Sequence, residues 1–107
     1  MPYYLIQASY KESAAKALMA RPQERSGVVK KMVGSLGGKL HSYFMAFGEY
    51  DVVAIVELPG NEAAVAMGLA SVAGGALSKY NTTVLLAPEE ASGAMKKAKK
   101  VPYTAPK

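Results

Sequence analysis

Residues 39 to 58, KLHSYFMAFGEYDVVAIVEL, restrict the fold more than any other stretch of the chain. Two runs rich in aromatic and β-branched residues, Lys39 to Phe47 and Asp51 to Leu58, lie either side of Gly48, Glu49 and Tyr50. That pattern predicts a β-hairpin. Side chains along a strand alternate between the two faces of a sheet. One side would therefore carry Leu40, Ser42, Phe44 and Ala46, and the other His41, Tyr43, Met45 and Phe47. The second strand sets Val52, Ala54, Val56 and Leu58 against Val53, Ile55 and Glu57. Neither face is polar, whereas a lone antiparallel sheet with helices on one side alternates apolar and polar residues. A bare second face would be an apolar patch of the kind that marks an interface. A second copy, sheet against sheet, is the economical cover, so a homodimer is expected. The alternative is a monomer with a greasy surface.

The other elements follow from local signals. Residues 3 to 10, YYLIQASY, have strand composition, and Lys11 to Ala20 is alanine-rich and helical in character. Arg21-Pro22 breaks that helix, because a residue before proline is pushed out of the α region. A second helix is expected to start at Pro22. Its apolar residues Val28, Val29, Met32, Val33 and Leu36 form one helical stripe. Gly37-Gly38 ends it. Asn61 is expected to cap a helix over Glu62 to Ala73, and Gly74-Gly75 to close it. A strand over Ser78 to Leu86 comes next, then a last helix opened by Pro88-Glu89-Glu90 with the stripe Ala91, Ala94, Met95 and Ala98. The order β, α, β, β, α, β plus a trailing helix is a ferredoxin-like α+β arrangement with a four-stranded antiparallel sheet and a C-terminal helix.

Half of the 107 residues are apolar and a fifth are charged, which is the composition of one globular domain. There is no cysteine, so disulfides and thiolate metal sites are excluded. No signal peptide or membrane-length apolar run is visible, and a cytoplasmic protein is expected. The net charge of +5 is local: Lys96, Lys97, Lys99, Lys100 and Lys107 lie in residues 96–107, which hold no acid. Residues 1–95 therefore read as a balanced domain and residues 96–107 as a basic, proline-containing tail. A nucleic-acid binder would carry a basic stripe interleaved with aromatics on the folded part, and none is present. The acids at the start of the last helix and the lysines at its end suit the helix dipole. A tail that meets an acidic partner is the other reading.

The segment GEYDVVAIVELPGNEAA, with SLGGKLHSYFMAF before it and TTVLLAPEEA after it, resembles the GYD-domain proteins. Their signature corresponds to Gly48, Tyr50 and Asp51, and the resemblance runs from about residue 3 to residue 95. One departure is Ala87, where a threonine or serine often precedes Pro-Glu-Glu. The resemblance implies a dimeric α/β-barrel fold and a biochemical role that is uncharacterised. A more distant likeness is to the effector-binding domains of leucine-responsive and asparagine-type transcriptional regulators. Those carry a Gly-x-Tyr-Asp hairpin and bind small molecules at subunit interfaces. The chain has no room for their helix-turn-helix, so the likeness implies ligand sensing without DNA binding.

Within the signature, Gly48 suits a positive φ in a short loop and Asp51 suits bonds to nearby turn amides. The functional alternative puts Tyr43, Gly48, Tyr50 and Asp51 around a small-molecule site at a subunit interface. His41, the one histidine, is either a strand-end residue near solvent or the general base or haem ligand of a barrel enzyme of the monooxygenase or isomerase type. A lone histidine without cysteines or a carboxylate cluster is a poor metal site, and no metal or cofactor is expected. Glu57 is anomalous in an aliphatic strand and needs a partner or water; Arg25 is a plausible one. The glycines follow helices instead of opening them after strands, so no phosphate cradle is read. Three functions remain open: binding of a small molecule without catalysis, a barrel enzyme using His41, and a structural or partner-binding module.

Overall fold

The computed structural model describes residues 1–107. Its elements are β1 (Tyr3–Tyr10), α1 (Glu12–Ala20), α2 (Ser26–Ser35), β2 (Lys39–Met45), β3 (Val52–Glu57), α3 (Asn61–Ala73), β4 (Leu77–Leu85) and α4 (Pro88–Ala98). The strands form one antiparallel sheet in the order β2-β3-β1-β4. This is the ferredoxin-like α+β arrangement that the order of elements predicts.

One face of the sheet holds the core. Tyr4, Ile6, Ala54 and Val56 project from the central strands and pack with Leu58, Val33 of α2, and Ala64 and Met67 of α3. Val29, Met32 and Leu36 of the predicted stripe pack against the same cluster. α2 ends in a Schellman turn, with the Gly38 amide donating to Val33 O and the Gly37 amide to Gly34 O, each at 3.0 Å. That turn needs a left-handed residue, and Gly37 has φ +80°.

The second helix starts at Ser26, not at Pro22. The Glu24 carboxylate accepts a hydrogen bond from the Ser26 amide at 2.7 Å, so a side chain takes one of the amides free at a helix start. Residues 21–25 remain irregular. Asn61 is also not a cap. It is the first residue of α3, and its Oδ1 accepts from the Tyr4 hydroxyl at 2.8 Å.

A bulge in β2 changes which residues share a face. Leu40 pairs with Val56, but the next pair is Ser42 with Ile55, leaving His41 as the extra residue. Leu40, Tyr43 and Met45 therefore register with the core-facing Val56, Ala54 and Val52. His41 does not share a face with Tyr43, as simple alternation would require. The open face carries Tyr3, Leu5, Val53, Ile55 and Phe44, and also Gln7, Ser42, Asn81 and Thr83. It is mixed, with Phe44 its most exposed apolar residue at 65 %.

α4 has no buried residue. Its start is capped on one side only, by Glu90 accepting from the Ala87 amide at 3.4 Å. Glu89 and Glu90 occupy its first turn and Lys96 and Lys97 its last, each sign opposing the helix dipole. The radius of gyration is 17.2 Å, against about 13 Å for a compact chain of this length.

Candidate functional site

The signature loop, residues 46–51, folds over the end of β1. The Asp51 carboxylate accepts from the Tyr10 backbone amide at 2.9 Å. The Asp51 amide donates to Ala8 O, and the Ala46 amide donates to Asp51 O, both at 2.9 Å. The Ser9 hydroxyl donates to Glu49 O at 3.2 Å. The Asp51 side chain thus clamps one strand to another instead of bonding the amides of its own turn. Gly48 does not have positive φ; Gly37 and Gly75 are the two residues that do. Tyr50 is half-buried, with the Lys79 ammonium 5.8 Å above its ring.

Tyr10, held by this clamp, borders a cavity of about 240 Å³ between the core face of the sheet, α2 and α3. The body of the cavity is apolar, with Ile6, Val29, Met32, Ala54 and Met67 among its walls. Tyr10, Arg25 and Tyr43 line both this cavity and a shallower depression outside it, and so form a neck between the two. Arg25 is half-buried and in no ion pair; its guanidinium donates to the Gln23 side chain at 3.0 Å. Glu24, at the outer depression, is engaged by the Ser26 amide and hydroxyl, which hold its carboxyl below the usual value. Burial first, and the neighbouring Tyr10 phenol second, push Tyr43 up to about 12. It is therefore a protonated hydrogen-bond donor at any physiological pH.

Tyr80 of β4 lines the inner wall. Its ring lies against Gly68 of α3, where a Cβ would come within 3.1 Å of it. Its hydroxyl is buried and has no hydrogen-bond partner. Burial raises this phenol as well; the nearby Ser71 and Thr82 hydroxyls oppose the rise without completing a bond.

On the opposite face, His41 Nε2 lies 2.8 Å from Glu57 Oε1. The His41 ring stacks on Tyr3 at 5.1 Å between centroids. The N-terminal ammonium is 3.6 Å from the other Glu57 oxygen. The hydrogen bond from His41 is the main cause that holds Glu57 below the ordinary carboxylate value. The partner of Glu57 is His41, then, and not Arg25. No three His, Cys, Asp or Glu residues gather in a metal-holding group, and no helix is long and apolar enough to cross a membrane.

Of the residues singled out in the sequence, Tyr43 stands at the neck and Asp51 acts on Tyr10 beside it. Gly48 and Tyr50 lie in the loop at the same end of the sheet. His41 is on the far face. Tyr10 and Tyr80 carry no motif; only the pairing of β1 with β3 and β4 brings them to the cavity.

An α+β sheet of this order with a loop clamped by Asp51 defines a small ferredoxin-like domain. Residues 4–95 match the GYD domain family, and the chain belongs to it. The fold is similar to the crystal structure of MtbAldR, with a TM-score of 0.52 and 12 % identity over 80 % of this chain. The match spans 52 % of that protein's chain, so this chain corresponds to about half of its length. No curated protein matches the sequence.

Proposed function

We propose that the protein binds a small molecule without transforming it, and that two copies pair through their open sheet faces. The cavity carries the first part of this reading. It is concave and apolar, with a few polar groups converging at one end, which is the usual make-up of a small-molecule site. Tyr43 contacts the ligand, while Gly48, Tyr50 and Asp51 shape the end of the sheet that holds Tyr10. The likeness of the signature hairpin to regulator effector-binding domains supports the same reading. An NMR screen of small amino-acid-like and aromatic fragments tests it. Hits that shift the signals of cavity residues are expected, and a protein that binds none of them would overturn it.

Pairing of copies rests on Phe44, Tyr3, Val53 and Ile55 of the open face, which no helix of the chain covers. Sedimentation at low micromolar concentration is expected to show a dimer that Phe44→Asp dissociates. A wild-type protein that sediments as one chain would refute the pairing.

A second reading is favoured by one observation, the His41–Glu57 pair. A carboxylate that orients an imidazole is the arrangement a general base uses. Under this reading the open face is the reactive one. A haem titration whose Soret shift is lost in His41→Ala would support its haem-linked form, and the absence of any shift would remove that form.

A further inference from the structure

We infer that the cavity between α2, α3 and the sheet binds a small carboxylate with an aromatic or branched apolar body, the carboxylate seated on Arg25 at the neck. The inference rests on the small-molecule-binding reading and adds the site within one protomer and the chemistry of the ligand.

Size comes first. A dry engineered cavity of about 150 Å³ accepts benzene. The cavity here, at about 240 Å³, has room for a ring and a short side arm. Ten of its sixteen lining residues are aliphatic or methionine, so the inner part of a ligand must be apolar as well. The sixteen lining residues come from one chain.

Charge comes second. Arg25 is the one cationic residue among those that line the cavity. It is half-buried and makes no ion pair, and the Gln23 side chain it donates to is a neutral amide. A guanidinium in that position is matched by a carboxylate, which it can hold with two parallel hydrogen bonds. The acid nearest the neck, Glu24, is directed to Ser26. The Tyr10 and Tyr43 phenols border the same neck and supply neutral donors.

The third observation is the Tyr80 hydroxyl, buried in the wall and unsatisfied. Such groups are rare because leaving one unpaired costs stability. Closed off from the cavity, with virtually no accessible surface of its own, the hydroxyl sets no further condition on the ligand; aromatic or branched monocarboxylates meet those of size and charge.

The test uses the full chain and two probes of nearly equal shape, hydrocinnamate and hydrocinnamyl alcohol. Hydrocinnamate is expected to bind with a dissociation constant on the order of a millimolar or tighter, the range open to about eleven non-hydrogen atoms. It should shift the amide and methyl signals of Val29, Met32 and Tyr80. The alcohol should bind about tenfold more weakly, as loss of a charge-assisted hydrogen bond implies. Arg25→Gln, a change at the irregular segment before α2, should abolish the difference between the probes; Arg25→Lys should restore part of it. Equal affinity of wild type for both probes would overturn the role of Arg25. Shifts confined to Phe44, Val53 and Ile55 would overturn the site while leaving a binding protein. No binding of either probe, with other fragments still bound, would overturn the ligand class. No binding of any fragment would overturn the underlying reading as well.

Discussion

Replacing Asp51 by alanine isolates the work of the signature. The side chain makes one hydrogen bond, to the Tyr10 amide 41 residues earlier, at 2.9 Å. The bonds of the Asp51 backbone to Ala8 and Ala46 survive the substitution. The loss is therefore one charge-assisted bond, worth about 1.5–3 kcal/mol, with the lower end apt for a carboxylate that is only half-buried. For a chain of this length about 1 kcal/mol moves the melting temperature by roughly 4–5 °C. Asp51→Ala should thus melt about 7–10 °C lower, while Asp51→Asn, which keeps a neutral acceptor, should lose about half as much. Melts belong at one fixed protein concentration, because any association makes the midpoint depend on it. Amide exchange adds a local readout, since the Tyr10 N–H should exchange faster in the alanine variant. If Asp51→Ala melts within about 2 °C of wild type with Tyr10 still protected, the clamp is refuted and the aspartate is free to be a ligand contact.

Gly38→Ala would drive a Cβ onto the Glu57 carbonyl oxygen and within 2.8 Å of Leu58. Glu57 is paired on both sides, to Tyr3 and to Lys39, so its backbone cannot yield, and a loss above about 3 kcal/mol is expected in urea unfolding. Gly34→Ala is the control: it meets nothing within 4 Å and should stabilise α2 by about 0.5–1 kcal/mol. Tyr80→Phe removes an unsatisfied buried hydroxyl and should leave the ligand-free protein unchanged or about 1 kcal/mol more stable, again by urea unfolding. Glu57 has a lowered carboxyl in the folded state, so its contribution is complete above the ordinary carboxylate range and fades as pH falls through the lowered value. The stability difference between wild type and Glu57→Gln should accordingly shrink with acidification, and a difference that grows would contradict the pair.

What could be read from the sequence was what depends on near neighbours. The Val28 to Leu36 stripe and the Gly37-Gly38 stop are periodic or adjacent signals, and both stand where they were expected, although the helix begins at Ser26 and not at Pro22. The order of strands followed from composition and turn residues. What escaped was set by pairing across the sheet. Simple alternation assigned His41 and Tyr43 to one face, and a single unpaired residue in β2 reverses that assignment. Asp51 looked like a turn residue because its partner, Tyr10, lies on another strand. Asn61 has good capping chemistry, yet Tyr4 claims its oxygen from across the core. For the cavity, Tyr43 was legible as an aromatic in a strand. Arg25 came into view as the partner of the wrong acid, and Tyr80 showed nothing to distinguish it from any strand tyrosine.

The unpaired residue in β2 also bears on how copies of the chain can meet. β2 and β4 are the outer strands, and outer strands are where foreign backbones add on. Along β2 a newcomer would find its ladder thrown out of step at His41, next to a charged Lys39. Along β4 it would meet Lys79, Asn81 and Thr83, a hydrophilic row with little to reward zippering. Sideways growth toward fibrils is discouraged at both margins.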